Sequence, residues 1–152
     1  MARPRFALHV INRILGIKTI EARFLKELET FFANENTEPI VKKCRGNHGG
    51  NALFRPIGLE IFARIVARLT TDMTLPQAVK LAGKLPTTLT APPYDGLMWD
   101  SSNKTILNSH KVTLREVLLY MLGASKYSDA TLLERYRRET GSEEIELPEK
   151  VQ

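Results

Sequence analysis

Between positions 57 and 69, Ile57, Ile61, Phe62, Ile65, Val66 and Leu69 recur at the spacing of one helical face, with Glu60, Arg64 and Arg68 at i, i+4 and i+8 on the opposite face. This stripe constrains the fold more than any other feature of the chain. A helix that is apolar on one side must bury that side against other apolar faces, so the rest of the chain has to supply them. Arg55 stands directly before Pro56, which biases it away from the α region and toward extended backbone.

The same signal recurs along the chain. Pro4 suits a first helical turn, Phe6, Val10, Ile11 and Ile14 follow at helical spacing, and Gly16 ends the element. Thr19 is a suitable N-cap for a second helix, with Glu21 in its first turn and a stripe through Ile20, Phe24, Leu25, Leu28, Phe31 and Phe32. Arg23 and Glu27 are spaced to pair on its outer face, and the polar cluster at 34–37 ends it. Residues 38–44 fit a short strand or a single helical turn, 45–51 read as a loop, and 52–54 as a short extended piece.

A further helix is expected over 75–85, with Thr74 as N-cap and Pro76 in its first turn. Pro86, Pro92 and Pro93 interrupt regular structure after it. Residues 97–99 and 105–107 flank the polar run 100–104 as a small hairpin. Thr113 and Glu116 have the spacing of a capping box opening a largely buried helix that closes at Gly123. A last helix is expected over 129–139, capped by Ser128 and stopped at Thr140 and Gly141, with Leu132, Leu133 and Tyr136 inward. The fold class is therefore mostly α, a compact bundle of five to six helices with at most one small β-hairpin. Residues 1–141 form the single helical domain and 142–152 an acidic flexible tail.

Charge is unevenly placed. Residues 1–92 carry 14 Lys and Arg against 7 Asp and Glu, a balance of +7, while 93–152 carry 8 against 10, a balance of −2. That asymmetry suits a protein that meets nucleic acid or an acidic partner on one side. The cations clustered around the loop and along one exposed helix face are Lys42, Lys43, Arg45, Arg55, Arg64 and Arg68, and these are the expected nucleic-acid contacts. No element presents several base-reading side chains together, so such binding is directed at the backbone. No apolar run is long enough to span a bilayer, no signal peptide is visible, and the lone Cys44 forbids an internal disulfide, which together lead to the expectation of a cytoplasmic protein.

Catalytic constellations are harder to assemble. Cys44 and His48, with His9 or His110 added by folding, lack the paired spacings of a structural zinc site, and nothing orients a base toward the thiol. The glycine-rich loop 46–50 lacks the Gly-Lys-Ser/Thr of a P-loop and reads first as a surface turn, though the cations around it allow a phosphate contact. Asp95 and Asp100 bracket Trp99, which reads as a core anchor. Gly83 resembles the turn of a helix-turn-helix, but the recognition helix would have to start near Pro86 and end before Pro92. The chain thus reads as non-enzymatic, with no metal and no cofactor.

The segments NALFRPIGLEIF (51–62) and PYDGLMWD (93–100) resemble the C-terminal part of DGQHR-domain (DndB-like) proteins, over roughly residues 5–123. That family is associated with DNA phosphorothioation and related bacterial DNA-modification and phage-defence islands. Its naming motif, Asp-Gly-Gln-His-Arg, lies in an N-terminal ParB-like portion and is absent here, since Asp95 and Gly96 are followed by Leu97 and Met98. The resemblance implies a stand-alone or truncated C-terminal module with no catalytic residue carried over. It implies an accessory or regulatory role acting through DNA or a protein of the same system. The alternative is a small regulator using residues 57–91 as a helix-turn-helix.

Overall fold

In the computed structural model, residues 48–151 are described. The two helices expected before residue 34, the 38–44 segment, and with them Lys42, Lys43, Cys44 and Arg45, lie outside the described residues. The described part is mostly helical: α1 (Pro56–Leu69), α2 (Leu75–Ala82), α3 (Lys111–Met121) and α4 (Asp129–Thr140), with a two-stranded antiparallel hairpin between α2 and α3. Helix α1 packs against α2 and α3, and α3 packs in turn against α4.

The stripe on α1 does what its spacing requires. Ile57, Ile61, Ile65, Val66 and Leu69 are buried, Phe62 is partly buried, and Arg64 and Arg68 face solvent. Facing them, Leu114, Val117 and Leu118 of α3 and Leu132 and Tyr136 of α4 complete one continuous core. Leu133 is a correction: it is half-buried and takes no part in that core. Burial and the charge of Asp95 push the Tyr136 phenol up to about 12, so it sits in the core uncharged.

Three local expectations need revision. Residues 52–54, read as extended, form a 3-10 turn, because Asn51 Oδ1 accepts from the Leu53 amide at 2.9 Å and closes it. The same turn is tied across the chain where Ala52 N donates to the Thr87 carbonyl at 2.7 Å. Helix α2 stops at Ala82 rather than 85, with Gly83 at its C-cap, while Leu85 stays buried beyond its end. Its start is as expected, Thr74 at the N-cap, with the Gln77 side chain accepting from the Thr74 amide at 3.0 Å. Helix α3 starts at Lys111 with His110 at its cap, two residues before the capping box. Thr113 and Glu116 are instead buried within the helix, with Glu116 accepting from Ser125 Oγ, so neither side chain caps the start.

The hairpin pairs Trp99 with Ile106 and Asp100 with Thr105. Asp100 fixes its turn by accepting from the amides of Ser102 and Asn103 at 2.9 and 3.0 Å. Trp99 is 3% exposed and fills the core beneath the proline-rich segment, where the Pro92–Pro93 peptide is cis. Ser128 caps α4, and Gly141 ends it at φ 70°, a left-handed conformation that glycine adopts freely. The acidic segment expected as a tail lies along the helices. Ile145, Leu147 and Val151 pack on the core, Arg137 Nε donates to the Ile145 carbonyl at 2.8 Å, and Val151 N donates to the Met121 carbonyl at 2.9 Å.

Candidate nucleic-acid interface

Arg64 and Arg68 lie one turn apart on the solvent face of α1, and packing of α1 against α3 brings them beside Arg115 of α3. The turn between α3 and α4 adds Lys126. These four cations border a pocket of about 270 Å³ whose apolar lining is Ala67, Leu119 and Ala124 and whose one acidic wall is Glu116. Charge from three separate stretches of chain is thereby concentrated on one concave surface, which strengthens its field over that of the same residues spread apart.

Neighbouring carboxylates hold two of the cations loosely. Arg64 Nε bonds Glu60 at 3.2 Å, and Lys111 Nζ lies 3.5 Å from the same carboxylate. Arg68 Nη1 bonds Thr71 at 2.6 Å and Asp72 at 2.9 Å. The hydrogen bond from Arg68 is the largest cause that holds the Asp72 carboxyl below its ordinary value. Both pairs are exposed, so water and salt already compete with them, and a phosphate can replace the carboxylate at little cost. Glu116 differs from these. Its side chain is 3% exposed, with Arg115 Nη2 at 3.6 Å and Ser125 Oγ donating at 3.3 Å.

The structure therefore brings together two of the six expected contacts, Arg64 and Arg68. Arg55 is engaged elsewhere: its Nη2 donates to the Gly49 carbonyl at 3.0 Å and its guanidinium lies 5.9 Å from the Trp99 ring centre. Lys42, Lys43 and Arg45 are outside the described residues. Sequence reading missed Arg115, Glu116 and Lys126. The available signal was Glu116 itself, a carboxylate on a helix otherwise read as largely buried, because a buried charge demands partners nearby.

Other sequence candidates have structural employment. The Gly50 carbonyl accepts from the Leu89 amide at 2.9 Å, which pins the described end of the glycine-rich loop to that residue. Asp95 accepts from Ser101 at 2.6 Å while Asp100 shapes the hairpin turn. His48 is exposed, and His110 Nδ1 lies 3.1 Å from Glu139. Among the described residues no group of three or more His, Cys, Asp and Glu is placed to hold a metal ion. Residues 83–98, where a recognition helix after Gly83 would lie, contain no α-helix. No helix among the described residues is long and apolar enough to cross a membrane. Comparison with protein-family models, with curated proteins and with solved structures finds no match.

Proposed function

We propose that the chain is a non-enzymatic accessory or regulatory module of a bacterial DNA-modification or defence system, holding DNA by its phosphate backbone in the groove between α1 and α3. The observation that carries this reading is the convergence of Arg64, Arg68, Arg115 and Lys126 on one pocket. Flexible cations held by weak exposed ion pairs suit phosphate contacts, which position a duplex without reading its sequence. On this reading the module works in the cytoplasm. The same reading keeps the bundle at five to six helices and counts Lys42, Lys43 and Arg45 among the backbone contacts.

Fluorescence anisotropy with a short labelled duplex tests the reading. Four phosphate contacts predict a log–log salt slope of about −3 to −4. The variant with Arg64, Arg68, Arg115 and Lys126 all replaced by Gln is expected to flatten the slope by about 3 while circular dichroism stays unchanged. An unaltered slope in a folded variant would refute the groove as the contact surface.

A further inference from the structure

Glu116 is difficult to explain as part of a surface built for phosphate alone. It lines the cationic pocket, yet its carboxylate is almost completely buried, where an ionised group needs full hydrogen-bonding compensation. What it has is thin. Ser125 Oγ donates at a long 3.3 Å, and Arg115 stands at 3.6 Å, an ion-pair distance beyond that of a good hydrogen bond. A carboxylate accepts at about four lone-pair sites, so acceptor capacity is left over on the wall of the pocket. The rim around it is positive, which disfavours a cationic occupant. The pocket therefore suits a ligand that is anionic at one end and rich in neutral N–H donors at the other, with a flat apolar body between them for Ala67, Leu119 and Ala124.

A nucleotide has that composition. We infer that the pocket between α1 and α3 is a single-nucleotide site in which the cations take the phosphate and Glu116 takes the N–H donors on the base edge. Guanine is the base of choice, because its N1–H and N2–H₂ are adjacent donors that match the two oxygens of a carboxylate. Cytosine and adenine each offer one amino group beside an acceptor. Uracil offers one N–H between two carbonyls, which a carboxylate repels. The pocket of about 270 Å³ has room for one unpaired nucleotide. The inference rests on the groove being a phosphate site and adds a base preference that a backbone groove alone lacks.

Calorimetric titration of the full chain at low salt with GMP, CMP, AMP, UMP and inorganic phosphate tests it. GMP is expected to bind about tenfold or more tightly than UMP, with UMP close to phosphate. Glu116→Gln should bring GMP and UMP within about threefold of one another and leave phosphate affinity undiminished, since it removes the carboxylate and none of the cations. A single strand with a 5′-phosphorylated terminal guanosine separates two sources of the same chemistry. Binding tighter than GMP identifies a nucleic-acid end, and binding no tighter identifies a free nucleotide. Equal affinities of GMP and UMP for the wild type overturn the inference even if Glu116→Gln fails to fold. If duplex DNA still binds with the expected salt slope in that case, the phosphate groove stands without the base site. If neither phosphate, nucleotides nor duplex binds, both fall.

Discussion

Gly58 has the least room for a side chain of the described glycines. A Cβ there would lie 2.0 Å from the Ala52 carbonyl oxygen and 3.1 Å from the Met98 methyl, so α1 and the 3-10 turn approach as closely as they do because position 58 has no side chain. Replacing a glycine inside a helix by alanine ordinarily gains about 0.5–1 kcal/mol in helix propensity, and Gly58, in the first turn of α1, would gain at most that. Here the added carbon meets backbone that is itself hydrogen-bonded to Arg55 and Thr87, and overpacking of that kind costs about 1–3 kcal/mol or more. Gly58→Ala is therefore expected to be net destabilising by about 1–3 kcal/mol in urea unfolding, where an increase in stability would contradict the close approach. The sequence marks this glycine only as part of the run from Asn51 to Phe62. Nothing local reveals that the preceding turn folds back over it, since that depends on Asn51 and Ala52 being tied to Thr87 some 35 residues away, as the 36-residue separation of the Asn51–Thr87 side-chain bond illustrates. Glu116 is the same lesson at the site: its spacing from Thr113 looks like a cap, and long-range packing gives it another use.

Elements whose caps and stripes agree are legible in the sequence, and α1, α2 and α4 begin where their first residues say they should. Helix α3 does not, because its start is set by a contact across to α4. His110 Nδ1 lies 3.1 Å from Glu139, whose other oxygen accepts from Arg135 Nε at 3.0 Å. Arg135 also donates to the Tyr127 hydroxyl at 3.3 Å, so the clasp spans the turn between the two helices. Burial raises the Glu139 carboxyl, but the hydrogen bond from Arg135 and the charges of Arg135 and His110 outweigh it and leave the pKa below its ordinary value of 4.5. A depressed acid pKa gives stability that is present above the unfolded value and disappears as pH falls through the folded one. Glu139→Gln is accordingly expected to lose about 1–3 kcal/mol near neutral pH, with the gap to wild type closing as the solution is acidified below that unfolded value. Thermal unfolding of both proteins at a series of pH values measures it, and a gap that widens in acid would contradict the clasp.

At the scale of the whole molecule, the acidic segment after residue 142 packs on the described helices rather than standing off them as a free tail. Ile145, Leu147 and Val151 add apolar area to the core from a stretch whose composition, four Glu and a proline after residue 142, reads as solvated. Alternating apolar and acidic residues there were the missed signal, since the apolar ones face the helices while Glu143, Glu144, Glu146 and Glu149 stay exposed. Substituting Asp at both 145 and 147 is expected to cost about 1–3 kcal/mol, measured by urea unfolding, and a cost near zero would return this stretch to the status of a tail. The groove was partly legible: Arg64 and Arg68 follow from the α1 periodicity, while Arg115 and Lys126 join them through the packing of α1 on α3, which no local pattern encodes. Whether that assembled charge meets nucleic acid is the centre of the account, and anisotropy of the wild-type chain on a short duplex across a salt series tests it most directly. Binding at low salt with a log–log slope of about −3 to −4 is the predicted result, and no binding at low salt, or binding indifferent to salt, would contradict it.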